Sequence, residues 1–399
     1  MSSNPVIPLE TIHTIIDILA QDDKGFSSLK SCSLVCQTFL HLCRKHIFAS
    51  IFLDGRKFAI PKPSTATLIR LLSATPEIAY HIRTLVCYIS SWEFEQRPLP
   101  GILKRINKLE SLSIRWPRSG RQWNDNPLRS AMLHLMHLPT LIHLELGNIT
   151  DFVVLDLVAC INLKELKLNR IQTVENEVAL PFTLSSGPIH LHQLEVGVES
   201  SMAVLDLCRK RRPDGKLIID LSNLASIVFT LCERDEFDAA QELFKYCERL
   251  TEIDIFIYSP PFTWAGLSRM LHPSIHTLTH LRLKTMLNDD SGTSDPLSGL
   301  VAELEEIRHQ NRVEGIAISV SIQTDRECNL GGWGCLDEEL TPSRWPKLKS
   351  VSLSIVIWSY MREGNDLELA LKKLPETQFP KLSSSKLVAF EFEVINEIV

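Results

Sequence analysis

Leu141-Ile142-His143-Leu144-Glu145-Leu146 is followed, 22 residues on, by Leu163-Lys164-Glu165-Leu166-Lys167-Leu168, and both carry apolar residues at i, i+3 and i+5. The last two apolar positions alternate with polar ones, which is the period of a strand with one buried face. Outward from this pair, Leu109-Leu112-Ile114, Leu191-Leu194-Val196, Leu250-Ile253-Ile255, Leu278-Leu281-Leu283 and Leu348-Val351-Leu353 repeat the template. Looser copies are Ile82-Leu85-Cys87, Leu224-Ile227-Phe229, Val313-Ile316-Ile318 and Leu387-Phe390-Phe392. Successive starts lie 22 to 39 residues apart, so the spacing is irregular. One such hexamer means nothing, but eleven spread along a chain indicate a repeat. Each strand is too short to be stable alone and buries its apolar face only against its neighbours.

Helical segments lie between the strands. Asn126-Pro127 precedes Leu128, Met132, Leu135 and Met136, and Asp295-Pro296 precedes Leu297, Leu300, Val301, Leu304 and Ile307. In each, a capping residue stands before a proline suited to the first helical position. Residues 236–246 and 366–374 read as further helices. Strand, crossover helix and parallel strand together predict an α/β fold of parallel strands with outer helices. The pattern resembles the leucine-rich-repeat solenoid, in an irregular form. Ile149 and Ile171 stand where that family usually has asparagine after the strand, so no asparagine ladder is expected.

On the solvent side of the strands this reading places His143, Glu145, Glu165, Lys167, Gln193, Glu195, Glu252, Asp254, His280 and Arg282, followed by Ser350, Ser352 and Ser354. These are the candidate target-binding residues. The alternative for any single one is an ordinary hydrated strand residue.

The N-terminal stretch is different. A helix is expected over Leu9–Ala20, with Leu9, Ile12, Ile16 and Leu19 in one stripe that Ile15 and Ile18 widen to half the circumference. A second helix is expected over Leu29–Phe39, and a third segment, Leu40–Phe52, carries Leu42, Ile47, Phe48, Ile51 and Phe52. So small a unit cannot bury this much apolar surface by itself. The surplus is covered by a partner or by the rest of the chain, in which case the segment is only a cap on the repeats.

Pro8-Leu9-Glu10, Ile15-Ile16-Asp17-Ile18-Leu19 and Leu34-Val35-Cys36-Gln37-Thr38-Phe39 resemble the F-box motif. The form is that of F-box proteins from mushroom-forming fungi, with Arg44-Lys45-His46-Ile47-Phe48 as the following element. Phe39 replaces the commoner tryptophan and Gln37 the commoner arginine. The resemblance implies docking to a Skp-type adaptor and, through it, to a cullin. Pro8, Leu9, Ile12, Ile16, Leu34, Val35 and Phe39 would then face the adaptor or shape the module. The expected division is a helical module over 1–55, a helical linker over 56–80 and repeats over 81–399. A hinge is expected at Ile60-Pro61-Lys62-Pro63-Ser64.

The implied function is that of a substrate receptor in a Skp–cullin–F-box ubiquitin ligase, binding an unknown protein target. The other reading is a scaffold that uses the F-box without delivering a substrate. Composition narrows the classes further. The net charge of −6 argues against nucleic acid as a partner, which would call for a basic excess. Arg209-Lys210-Arg211-Arg212 runs into Pro213-Asp214-Gly215 and reads as a solvated turn. No apolar run reaches membrane-spanning length and no signal peptide is visible, so a cytoplasmic or nuclear protein with reduced cysteines is expected. Gly331-Gly332-Trp333-Gly334 lacks the residues of a phosphate loop. Cys328 and Cys335 lack a second ligand pair for zinc. His272, His276 and His280 are spaced by four, but Pro273 interrupts any helix there. No enzyme chemistry, metal or cofactor is expected.

Overall fold

The computed structural model describes residues 8–22, 26–54, 65–89, 96–117, 122–174, 187–212, 214–259, 263–287, 295–309, 311–322, 332–359 and 366–398. The fold is α/β, with a twelve-stranded parallel sheet whose strands lie side by side in chain order. They are β1 (Ser50–Asp54), β2 (Thr84–Tyr88), β3 (Ser111–Arg115), β4 (His143–Phe152), β5 (Glu165–Thr173) and β6 (Gln193–Val196). After them come β7 (Ser226–Leu231), β8 (Glu252–Ser259), β9 (His280–Leu287), β10 (Gly315–Ile322), β11 (Ser350–Ser359) and β12 (Ala389–Ile398). Each of the eleven template copies supplies one strand. The chain divides into two compact units, Met1–Leu163 with Thr173–Ile189, and Lys164–Gln172 with His190–Val399.

The first unit opens with α1 (Leu9–Asp22), α2 (Ser27–Cys32) and α3 (Gln37–Ile47). Ile16, Leu29, Leu42 and Cys43 form a small core, with Ile12, Leu19, Phe26, Phe39 and Ile47 packed against it. The single second helix expected over Leu29–Phe39 is broken in two. Ser33 Oγ donates to the Lys30 carbonyl at 2.7 Å, and Cys36 is fully extended at φ −160°. A serine hydroxyl that competes for a helical carbonyl favours such a break.

The third segment also departs from expectation: helix α3 stops at Ile47, and residues 50–54 are strand β1. Ile51 and Leu53 face the sheet core, so they belong to the sheet and not to a helical module ending at 55. Phe48, Ile51 and Leu53 in fact match the i, i+3, i+5 template. Helix α4 (Thr65–Ala74) and a 3-10 turn over Pro76–His81 then lead into β2. The expected hinge at 60–64 lies outside the described residues.

Strands β1 to β4 pair in register, Ile51 with Leu85, Leu85 with Leu112 and Leu112 with Leu144. Beside them the buried carboxylate of Asp156 accepts from Trp123 Nε1 at 2.7 Å and from Arg129 at 2.9 Å. The expected helix after Pro127 is α6, counting the short α5 (Leu99–Leu103) before it, and it starts at Arg129 (Arg129–Met136). Asn126 Oδ1 accepts from the Leu128 amide at 2.8 Å, the turn that delays the helix.

In the second unit the strands also pair in register. Leu166, Leu194, Ile227, Ile253, Leu281, Ile316 and Val351 stand in one register row and are buried to within 2%. Full burial of each such side chain contributes about 1.5–3 kcal/mol. Helices α7 (Ser201–Arg209), α8 (Arg234–Phe244), α9 (Leu267–Leu271), α10 (Leu300–Ile307), α11 (Gly334–Glu339) and α12 (Asp366–Lys372) connect the strands. Helix α10 starts at Leu300, five residues after Asp295.

Two hydrogen-bond devices recur. At the strand starts one carbonyl accepts two amides of the next strand: Ala49 from Arg83 and Thr84, Thr251 from Thr279 and His280, Glu314 from Lys349 and Ser350. Between helices, the buried carboxylates of Glu236 and Asp337 and the half-buried one of Glu303 accept backbone amides of neighbouring segments. Glu236 accepts from the Glu199 amide at 2.6 Å and the Glu233 amide at 3.0 Å. Glu303 accepts from the Gly266 and Ser268 amides, and Asp337 from those of Lys381 and Leu382. Ile149 and Ile171 are buried apolar residues.

Candidate functional site

Burying Ile16 in the three-helix core fixes which sides of α1 remain outside. Leu9, Ile15 and Ile18 are exposed at 51%, 46% and 52%, and the break after α2 leaves Leu34 86% and Val35 70% exposed. Pro8 is also exposed, its carbonyl accepting from the Thr11 and Ile12 amides. The seven residues singled out in the sequence therefore separate into two groups. Pro8, Leu9, Leu34 and Val35 face outward, whereas Ile16 is core, and Ile12 and Phe39 pack half-buried against that core. Ile15 and Ile18 join the outward group. Their signal was the extra width of the apolar stripe.

The second candidate surface is the open face of the sheet. In the first unit it carries Phe52 and Tyr88, whose rings are 5.4 Å apart, and Arg115, which lies over Tyr88 at 5.4 Å and bonds Glu145. His143 and Glu145 are half-exposed on this face.

In the second unit Glu165, Lys167, Gln193, Glu195 and Glu252 are half-exposed, and His280 and Arg282 are exposed. Asp254 departs from expectation: it is 7% exposed, because Lys284 from the next strand lies over it at 2.7 Å. The charges largely neutralise one another across strands. Lys167 meets Glu195 at 2.6 Å and Arg282 meets Glu252 at 3.7 Å. Such pairs are worth about 0.2–1 kcal/mol each and leave little net field.

Toward the C-terminal ends of the strands the same face changes character. Tyr258, Met286, Ser321, Val356 and Ile395 stand in one register row, with Phe256 and Trp358 one step to either side. The Phe256 and Tyr258 rings meet edge to face at 4.9 Å. All of these side chains are half-exposed. Beside them Ala317 and Ser319 on β10, and Ser352 and Ser354 on β11, keep the sheet surface low. This apolar row was not among the candidates, because it lies beyond the six-residue template. The signal was present in the apolar run Ser352-Leu353-Ser354-Ile355-Val356-Ile357-Trp358.

His134 meets the Ile106 carbonyl at 3.3 Å and His137 that of Asp156 at 2.7 Å. His272 and His276 lie in turns and His280 on β9. Burial pushes the Cys208 thiol up to about 12, and burial with the Glu236 and Glu233 carboxylates does the same to Cys232. Such thiols are not thiolates at neutral pH and are poor nucleophiles. Among the described residues no three histidine, cysteine or carboxylate side chains converge as a metal set, and no helix is long and apolar enough to cross a membrane. No protein-family model matches the chain, and a search of curated proteins finds no match either.

Proposed function

We propose that the chain is a substrate receptor of a Skp–cullin–F-box ubiquitin ligase. Helices α1 to α3 dock to a Skp-type adaptor, and the open sheet face holds a protein target. The observation that carries this reading is the exposure of Leu9, Ile15, Ile18, Leu34 and Val35 on the segment whose sequence resembles the F-box. Each forgoes roughly 1.5–3 kcal/mol that a covering partner would recover. The twelve strands are read as an irregular leucine-rich-repeat solenoid, which agrees with their chain-order pairing and alternating burial. A solenoid presents a large, pre-formed surface suited to a protein target. The receptor catalyses nothing, and it acts by raising the target's effective concentration at the ligase.

Co-expression with a Skp-type adaptor tests the docking half. The wild type is expected to capture the adaptor. Leu9→Asp combined with Leu34→Asp is expected to lose capture while the thermal melt stays unchanged, since both residues are exposed and the new charges would be desolvated only in the complex. Capture that persists in this variant overturns docking through these helices. Adaptor capture with a bound target whose ubiquitination does not respond to loss of the protein would replace the receptor with a scaffold.

A further inference from the structure

A cavity of about 670 Å³ opens in the first unit, walled by α1, α3, the 3-10 turn before β2 and the segment before β3. Its apolar lining comes from the buried Leu42 and the exposed Leu9 and Tyr80. The rest of the lining is mostly basic, Lys45, Arg83 and Lys108 with three imidazoles, beside the neutral Gln37 and Thr38, and no carboxylate lines the cavity. Such a distribution is unusual for a chain of net charge −6. The cations are held by different means. Lys45 reaches Asp17 at 3.0 Å, and Arg83 Nε meets Glu110 at 3.2 Å while its Nη1 donates to the Tyr80 carbonyl at 2.9 Å. Lys108 is exposed and makes no ion pair among the described residues. The His41 and His81 rings stand edge to face at 5.9 Å, so two imidazoles share one wall.

An anion would relieve this crowding of donors. A phosphate group, with three strong acceptor oxygens and nearly two negative charges, matches cations spread over three separate elements better than a carboxylate, with two oxygens and one charge. Leu9, Leu42 and the Tyr80 ring give an organic body an apolar contact, and the volume falls in the range of small-molecule sites. We propose that this cavity binds an organic phosphate, its phosphate on Lys108, Arg83 and His81 and its body against Leu9, Leu42 and Tyr80. Burial and the positive charges of His41, Arg83, Arg44 and Lys108 hold the His81 imidazole below its ordinary value, which a bound phosphate would reverse. Lys45 on α3 adds its charge to the same cavity, which His13 on α1 also lines. The inference does not depend on the ligase reading.

Titration calorimetry of the full chain with ADP and with sodium pyrophosphate tests it, in a buffer free of phosphate. ADP is expected to bind, more tightly than pyrophosphate, and more tightly at pH 6 than at pH 7.5 as His81 takes up a proton in the complex. Lys108→Glu is expected to weaken ADP by at least about tenfold, the worth of one charge-assisted contact. The exposed Lys349→Glu serves as a control for nonspecific charge effects. Because Lys108 is exposed, the variant is expected to melt like the wild type. The His81 ring signal in NMR is expected to titrate at higher pH with ADP bound. Absence of binding at millimolar ADP, equal loss in the two lysine variants, or equal affinity for ADP and pyrophosphate would each overturn the assignment.

Discussion

At the scale of single residues, Ile16 and Leu34 show how one motif divides. Both are apolar members of the same resemblance, yet one is 1% and the other 86% exposed. Their hydropathy is indistinguishable in the sequence. Only the helix break, set by a serine hydroxyl and an extended cysteine, sends Leu34 outward. Asp254 teaches the converse. It sits on the open face as alternation requires, but a long lysine stem from the next strand covers it, and no one-dimensional pattern contains that neighbour. His81 carries a prediction of its own. Its folded pKa is depressed, first by burial and then by surrounding cations. Its contribution to stability is therefore fully present above the ordinary histidine range near 6.5 and lost as the pH falls below it. His81→Gln should flatten the decline in melting temperature between pH 7.5 and 5.5. An unchanged slope would show that this imidazole is not the group responsible. The Asp17 carboxyl, held low chiefly by its hydrogen bond from Lys45, acts only in a separate window below the usual carboxylate range.

At the scale of elements, the strands were legible and the helix boundaries less so. Alternation survives in most template copies because exposing a core leucine is costly, although Ser113 and Asp254 are buried beside the core positions and Leu387 is exposed; a helix start depends instead on local turns that several sequences satisfy. Strand β1 was hidden because only Ser50 separates its apolar residues from the apolar end of helix α3. The outward-facing half of the helical site was legible as surplus apolar surface, though not residue by residue. The apolar row at the strand ends was invisible to a template that stops at the sixth residue. The carboxylates between helices make a sharper test. Glu236 is 2% exposed and satisfies amides on two separate segments. Glu236→Ala should destabilise the protein by at least about 1–3 kcal/mol, the penalty for one orphaned buried group. Glu236→Gln should recover part of the loss, since its carbonyl oxygen still accepts. Equal denaturation midpoints for wild type and both variants would mean that the amides find other partners.

At the scale of the whole molecule, the two candidate surfaces use different side chains, which makes them separable by mutation. Tyr258→Ala with Trp358→Ala should cut target capture by at least about tenfold, because large aromatic residues dominate interface energetics. The same double variant should leave adaptor capture intact, just as the Leu9 and Leu34 changes should spare target binding. Pull-downs scored for both partners check this, and loss of both from either variant would refute independent surfaces. The carbonyls that each hold two amides of the following strand bear on how such a chain changes over generations. They are main-chain groups, so the join between neighbours is specified by no particular side chain. A unit gained or lost by unequal recombination would meet the same join on either side. Between joins, loops are free to lengthen and surfaces to drift, with selection acting mainly on the apolar positions of the template. Descendants of one ancestor can thus keep a common backbone while their sequences diverge past recognition.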